Sequence, residues 1–375
     1  MKYLLPILLL TLLCTAEEDF PGDSFSINFD DSLLPSVPKA ENTVFHWNTF
    51  LRQAAQQPGQ NTMYCPVLVE TLLSALHSCA TGATKTVLAP FSTPATHPNL
   101  HCGTLLAADK ALPVSHTAPP MLRLSFSSNP QQAAEALNQH CSQLTQGHIT
   151  HIITPEAVAG SPFLPLGTVF FQAPWRIPLQ AAYTATFTNA RAEQEPCTML
   201  TGDAACLISD DYQAIARSYN TASSELIFIA ILPKDSAQTF LQQLTHDNLQ
   251  QIRENLFANA RHGEVFLPRL NISTPPVNLL PTLQQSELRI LCTPEAFRRN
   301  AISPLPIRLT SLQSAYSLSL DEQGTTASAA GAATTIILSI RPKVHFNRPF
   351  IWLICPRNTN QQPLFMGIIN SLNRL

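Results

Sequence analysis

A run of small, uncharged residues near the C-terminus constrains the fold of this chain more than any other segment. Residues 321–338 read DEQGTTASAAGAATTIIL, and every residue from 325 to 334 is Thr, Ala, Ser or Gly. No proline stands between 323 and 340, so the segment could enter a β-sheet without losing a ladder hydrogen bond. The segment can therefore be presented as a loop or laid down as a strand.

The alternation of a strand decides which of these residues would be buried. With Thr325 pointing inward, one face would carry Thr325, Ala327, Ala329, Gly331, Ala333 and Thr335, and Gly324 would supply a permissive hinge before them. The same composition also fits a flexible linker. The position favours the strand-forming reading, because too little chain follows to make a second domain.

The block after this run, residues 346–370, reads FNRPFIWLICPRNTNQQPLFMGIIN. It resembles the C-terminal signature of the serpin family: the FNRPF pentapeptide, an apolar strand over 351–354, a polar turn, and PLFMG from 363 to 367. The hinge-like residues upstream, at the distance the family shows, are Glu322, Gly324, Thr325, Ala327 and Ala329. Residues 42–60, 63–76, 169–175, 226–233 and 265–270 are also similar to helices and strands of that family.

The resemblance implies an α+β serpin fold with a large mixed β-sheet A, sheets B and C, about eight helices and an exposed reactive-centre loop over roughly 322–342. It places Trp175 at the top of the main sheet, where the loop would begin to insert. Between 90 and 121 the chain is shorter than the family pattern, by about a helix and part of a strand. The resemblance implies no cofactor.

The N-terminus has the pattern of a secretory signal peptide. Lys2 precedes an apolar run over 4–13, and a small-residue site ends at Ala16. We expect cleavage after residue 16, a single serpin domain over 17–375, and a secreted, extracellular protein. The net charge is only −3, and 13% of the residues are charged, so neither bulk charge nor a basic run indicates a nucleic-acid or membrane partner.

The even number of cysteines is compatible with disulfides in a secreted protein, but a chain of this size does not need them to fold. Beyond the signal peptide there are eight cysteines, at 65, 79, 102, 141, 197, 206, 292 and 355. We expect one or two disulfides at most, with a pairing that the sequence does not fix. Asn271-Ile272-Ser273 is a glycosylation sequon.

Signatures of enzymes and metal sites are weak. There is no phosphate-binding glycine loop and no nucleophile elbow. His97 and His101, followed by Cys102, and the pair His148 and His151 have spacings that could hold a metal on a helix. Thr96, Pro98 and Gly103 argue against a helix at the first pair, and no third ligand is near in sequence. We expect neither a metal nor an enzymatic activity.

Local patterns predict several elements. Asn129 and Pro130 begin a helix that Gly147 ends, and a second helix is predicted near 238–257. Strands are predicted at 168–172, 226–232, 264–270, 315–320 and 351–354. Compared with the family, Cys65, Pro66 and Leu68 replace a Ser-Pro-x-Ser pattern beneath the main sheet, and Gly167 and Ser314 replace its usual Asn and His. Small and apolar groups therefore replace a polar cluster.

The resemblance implies an inhibitor that a target protease cleaves and that then inserts its loop into the main sheet. Counting from Gly324 places the bait bond at Leu338-Ser339, with Ile337 as the alternative. A Leu before the cut implies a chymotrypsin-like or elastase-like extracellular serine protease as partner, and a monomeric inhibitor. The alternative is a non-inhibitory serpin that acts as a carrier or immune-modulating binding protein.

Overall fold

A computed structural model describes residues 40–221, 225–284, 286–325 and 341–372. Within these ranges the chain forms eight α-helices and two short 3-10 segments, Ala89–Phe91 and Glu287–Cys292. The helices are α1 (Ala40–Gln56), α2 (Pro66–Cys79), α3 (Gly82–Leu88), α4 (Pro130–Leu144), α5 (Pro155–Ala159), α6 (Ala237–Gln243), α7 (His246–Asn259) and α8 (Leu280–Leu283). The expected signal peptide lies outside the described residues.

The same ranges contain seventeen strands. They are β1 (Thr62–Tyr64), β2 (Leu100–Asp109), β3 (Leu122–Leu124), β4 (Phe163–Phe171), β5 (Ala173–Pro174), β6 (Gln180–Thr188), β7 (Gln194–Ile208), β8 (Tyr212–Ser218), β9 (Leu226–Pro233), β10 (Arg261–Pro268), β11 (Leu270–Ser273), β12 (Val277–Asn278), β13 (Gln313–Leu320), β14 (Gly324–Thr325), β15 (Lys343–His345), β16 (Phe350–Pro356) and β17 (Phe365–Ile369). The observed elements confirm the expected α+β class.

The main sheet has six strands in the order β11-β13-β4-β2-β3, with β12 beside β13. β13 runs parallel to β4. All nine residues of β4 are buried, because one face packs against α2 and the core while the other packs with α4, α5 and neighbouring segments. Such a strand is continuously apolar rather than alternating, and the sequence FLPLGTVFF has this pattern. This sheet is the expected sheet A.

A second, nine-stranded sheet follows the order β1-β17-β16-β9-β8-β7-β10-β15, with β6 paired to β7. β9 and β16 are buried along their whole length. The fifteen-residue β7 connects its two parts, because its first half pairs with β6 while its last residues pair with β8. The two parts are the expected sheets B and C.

The first predicted helix is confirmed and the second is wrong in one respect. The Asn129 side chain accepts a hydrogen bond from the Gln132 N–H at 3.2 Å at the start of α4, and Gly147 has a φ of 84° just after its end. The helix predicted over 238–257 is two helices, α6 and α7. Thr245 breaks it, because its hydroxyl caps α7 and Asn248 completes a capping box.

Strand predictions hold in position but not in every boundary. The strand predicted over 264–270 is β10, which ends at Pro268, and Leu270 already belongs to β11. Proline has no N–H to donate to a ladder, so a switch of sheet here costs little. The strands predicted at 226–232, 315–320 and 351–354 are present in β9, β13 and β16.

The region that we expect to be shorter than in the family is mostly strand and loop. In the described chain, residues 92–99 and 110–121 contain no helix, and β3 is only three residues long. β2 nevertheless spans ten residues across the main sheet. None of the helices in the described ranges is long and apolar enough to cross a membrane.

Candidate functional site

The hinge, residues 321–325, turns back at the end of β13 and packs on the top of the main sheet. The Asp321 carboxylate accepts hydrogen bonds from the N–H groups of Gln323 at 2.9 Å and Gly324 at 3.1 Å. The Asp321 N–H donates to the Gly324 carbonyl at 2.9 Å. This Asx-type turn fixes the direction in which the chain leaves the sheet.

Gly324 is required because two backbones approach each other closely. It pairs with Pro174, and Thr325 pairs with Ala173, to form the short antiparallel pair β14 and β5. A Cβ atom on Gly324 would lie 2.6 Å from the Pro174 Cα, so any side chain would push the hinge off β5. The sequence-predicted hinge glycine is therefore explained by contact with β5.

Trp175 holds the turn from the other side. Its backbone N–H donates to the Gln323 carbonyl at 2.8 Å, and its indole N–H donates to the Asp321 carbonyl at 3.0 Å. The Leu179 N–H donates to the Glu322 carbonyl at 2.7 Å. Trp175 therefore lies directly against the hinge, and its role in loop insertion stays a prediction.

Thr325 is completely buried and faces an aromatic layer. Its hydroxyl is 2.8 Å from the hydroxyl of Tyr219, and the Tyr219 ring stacks on Trp175 with centroids 4.5 Å apart. Burial raises the pKa of Tyr219 well above its usual range. The Tyr219 phenol therefore stays neutral and able to share a hydrogen bond with Thr325.

Arg217 lies beneath this layer and is 6% exposed. Its guanidinium is 5.3 Å from the centre of the Trp175 ring and donates to the backbone carbonyls of Asp203 and Ile177. Burial lowers its pKa to about 10, and the neighbouring Asp203 opposes that shift. The guanidinium remains charged at neutral pH and supports Trp175 through a cation–π contact.

Sequence reasoning missed both Tyr219 and Arg217. Neither residue has a motif around it, and both lie in or just after β8, far from the hinge in sequence. The only available signal was an arginine two residues from a tyrosine beside a strand, which is common on exposed strands. Glu322 forms an ion pair with Arg269 at the surface, and a pair so exposed stabilises by about 1 kcal/mol at most.

The two central strands of the main sheet part just below the hinge. The pairing of β13 with β4 runs from Gln313 opposite Leu166 to Ser317 opposite Phe170, and residues 318–320 pair with β11 alone. Gly167 and Ser314 lie directly opposite each other. A Cβ on Gly167 would lie 2.8 Å from Leu72 and 3.0 Å from Leu68, so leucine side chains of α2 occupy the space beneath this pair.

The remaining candidates divide between described and undescribed residues. Ala327, Ala329, Leu338 and Ser339 lie outside the described residues, so the position of the bait bond stays a prediction. Asn271 is exposed in the edge strand β11, opposite Ser319.

The structure brings together one histidine from each of the two pairs noted in the sequence. His101 and His148 both contact the Phe170 ring, with centroids 4.4 and 4.5 Å away. Among the described residues no three His, Cys, Asp or Glu side chains form a group that could hold a metal. The eight cysteines of the described ranges are all present as thiols.

Comparison with known proteins identifies the family. The model of the serpin (serine protease inhibitor) family matches residues 116–372. Alpha-1-antitrypsin of Meriones unguiculatus is 31% identical over 140 residues, which are 37% of this chain and 34% of that protein. Alpha-1-antiproteinase of Rattus norvegicus is 25% identical over 243 residues, 63% of this chain and 57% of that protein. The chain thus spans about a third and just over half of these two relatives.

Longer but weaker similarities cover most of the chain. Serpin A3-8 of Bos taurus is 23% identical over 374 residues, which are 88% of each chain. The solved structure of a thyroxine-binding globulin complex with thyroxine superposes with a TM-score of 0.70 at 18% identity, covering 89% of this chain and 99% of that one. The family match takes in α4, β4, the hinge and the C-terminal strands, and on that ground the chain belongs to the serpin family.

Proposed function

We propose that this protein is a secreted inhibitor of an extracellular serine protease and that it acts by loop cleavage, acyl-enzyme trapping and loop insertion. The observation that carries the proposal is the hinge. It leaves the main sheet where β4 and β13 part, and its Thr325 is already buried against Tyr219. Small residues follow in the sequence, so a strand that continues from Thr325 would bring no bulky side chain between β4 and β13 over residues 326–335.

The chemical step belongs to the target protease. Its serine attacks the Leu338 carbonyl, the bond to Ser339 breaks, the new amine leaves, and an acyl-enzyme remains on Leu338. The freed segment then enters the main sheet between β4 and β13 and gains ladder hydrogen bonds on both sides. Because the protein is a substrate that traps its protease, it needs no catalytic residue and no cofactor of its own.

Leu338 before the cut suits an apolar primary pocket, so we propose a chymotrypsin-like or elastase-like target. The apolar run before Ala16 supports secretion, and Asn271, exposed in β11, is the proposed glycosylation site. We propose that the inhibitor is a monomer, which forms one complex with one protease.

The test is to mix the protein with chymotrypsin and look for a complex that survives boiling in detergent. We expect a band at the summed mass, with cleavage after Leu338 identified by mass spectrometry of the released C-terminal peptide. A catalytically dead chymotrypsin is the matched control and should give no such band. Stoichiometric cleavage without any stable complex would overturn the inhibitory function.

A non-inhibitory binding protein is the second candidate. The observation that favours it is the packing beneath the main sheet, where Leu68 and Leu72 fill the space under Gly167. The Ser314 hydroxyl donates to the Val277 carbonyl at 3.3 Å instead of to β4. If this apolar packing stops the sheet from opening, the loop would be cleaved as a plain substrate.

A further inference from the structure

Phe170 of β4 is covered by two histidines rather than by the apolar core. Its side chain is 1% exposed, yet it belongs to neither of the two apolar clusters formed by the described residues. The His101 ring of β2 stacks on it with centroids 4.4 Å apart, and the His148 ring lies 4.5 Å away. Both imidazoles are themselves half-buried. Two ionisable rings therefore pack on one phenyl ring.

This contact lies where the main sheet has to open. His101 is directly opposite Phe170 in the pairing of β2 with β4. Ser317 of β13 is opposite Phe170 on the other side of β4, and it is the last residue of β13 that pairs with β4. The rings therefore stand beside the place where an inserted strand would enter.

His148 belongs to a unit that crosses the two central strands. It lies in the connector 145–153, which follows α4. The Asn138 side chain of α4 accepts hydrogen bonds from the N–H groups of Ile152 at 2.8 Å and Ile153 at 3.1 Å, so the connector is fixed to the helix. Buried residues of this unit share one cluster with residues of both central strands, namely Leu164, Leu166 and Ala315. A strand that separates β4 from β13 has to displace this unit.

We propose that His101 and His148 form a pH-sensitive latch on Phe170, which holds α4 and its connector over the closed main sheet while both imidazoles are neutral and releases them when both are protonated. The effect on strand insertion rests on the proposed function, because it assigns a regulation to the opening of the same sheet. The consequence is that a strand inserts faster in acid.

Protonation of both rings is unfavourable in the closed form. The centroid distances of 4.4 and 4.5 Å to Phe170 place the two imidazole centres at most about 9 Å apart. Two positive charges so close in a half-buried site repel each other. A single imidazolium is tolerated better, because an aromatic face attracts a cation. Release therefore needs both protons.

The other ionisable groups nearby do not compensate this repulsion. On the elements that pack around the rings, α4 with its connector, β2 and β13, they are Glu135, His140, Cys141, His151, Cys102, Asp109 and Tyr316, and β4 has none. His97, just before β2, stays neutral because burial lowers its pKa to about 4. Burial lowers the pKa of His101, and His148 is the group whose charge lowers it further. Burial alone lowers the pKa of His148.

The direction of the pH effect follows from these lowered pKa values. A histidine whose pKa is lowered in the closed form binds its proton more tightly once its ring is released. The closed form is therefore fully stable above the ordinary histidine pKa of about 6.5, and it loses stability as the pH falls below that value. Acid favours the release of α4 and its connector.

The experiment measures how fast an end-blocked synthetic peptide of residues 325–338 inserts into the main sheet of the full chain, on native gels and without protease. The peptide has no ionisable side chain, so its own charge does not change with pH. We expect insertion to be severalfold faster at about pH 5.5 than at about pH 7.5. His101→Phe and His148→Phe keep a ring against Phe170 and should each insert the peptide at nearly the same rate at both pH values. His151→Gln, at an exposed position, is the control and should behave as the wild type.

Histidine titration by NMR tests the contact without any insertion. In His148→Phe the pKa of His101 should rise, because the neighbouring charge is lost. An unchanged His101 titration, or measurable but equal insertion rates of the wild type at both pH values, would overturn the latch. Coupled titration of the two histidines in a protein that inserts the peptide at neither pH would count against the proposed function alone.

Discussion

The hydrogen bond between Tyr219 and Thr325 ties the hinge to the body of the protein, and its removal is the most informative perturbation. The two hydroxyl oxygens are 2.8 Å apart, Thr325 is 0% exposed and Tyr219 is 3% exposed. Tyr219→Phe leaves the Thr325 hydroxyl without this partner in a dry site, and Thr325→Val does the same to Tyr219. Leaving a buried hydroxyl unsatisfied costs about 1–3 kcal/mol.

The double variant distinguishes this bond from general packing. When both hydroxyls are removed, no polar group is left buried without a partner, so we expect the double variant to lose less stability than the sum of the single variants. The expected coupling is about 0.5–1.5 kcal/mol.

Urea unfolding followed by tryptophan fluorescence measures these differences, since Trp175 stacks on Tyr219. Tyr183→Phe is the control, because that side chain is 47% exposed and its change should stay within about 0.5 kcal/mol. If the single variants match the wild type, or the double variant equals their sum, the hydrogen bond does not hold the hinge.

Four further substitutions test the start of the inserting strand, the bait bond, the packing under Gly167 and a buried histidine. Thr325→Arg should turn the inhibitor into a substrate, because a charge cannot be buried at the start of the inserting strand; an unchanged chymotrypsin complex on a gel would refute the register. Leu338→Arg should redirect inhibition to trypsin, and failure to form a trypsin complex would move the bait bond. Gly167→Ala should destabilise the protein by about 1–3 kcal/mol, because its Cβ would contact Leu72 and Leu68. Gly160→Ala is the control and should not destabilise it, because its Cβ would meet only the Glu156 carbonyl at 3.6 Å. Equal urea midpoints for the two variants would contradict the prediction. Burial lowers the pKa of His97 to about 4, so between about pH 4 and 6.5 the unfolded state binds more protons than the folded state. The free energy of unfolding should therefore be highest above this window and should fall as the pH drops through it. In His97→Gln the urea midpoint should depend less on pH across the same window.

Sequence patterns predicted those parts of the fold that local chemistry decides. The helix α4 has its cap, its proline and its terminal glycine in sequence order. β9 and β16 are dense apolar runs, and the second half of β13 alternates apolar and polar residues. The single helix predicted over 238–257 failed because Leu244 continues the apolar periodicity across the Thr245 cap. Hydrophobic spacing alone does not register such a break.

Only the hinge and Trp175 could be predicted from the sequence, whereas the residues of β8 that support them could not. The hinge residues Glu322, Gly324 and Thr325 stand in one stretch whose composition is unusual, and Trp175 follows a recognisable strand. Tyr219 and Arg217 reach the hinge only through the pairing of β8 and β9 and the bridge from Tyr219 to Trp175. Their contacts are set by sheet topology, and a single sequence carries no local signal of it.

We propose that the segment after Thr325 becomes a strand of the main sheet once the loop is cut. Thermal unfolding of the intact and the loop-cleaved protein, followed by circular dichroism, tests it directly. We expect the cleaved form to stay folded well above the temperature at which the intact form melts, because an inserted strand adds hydrogen bonds to both β4 and β13. Equal melting temperatures for the two forms would contradict it.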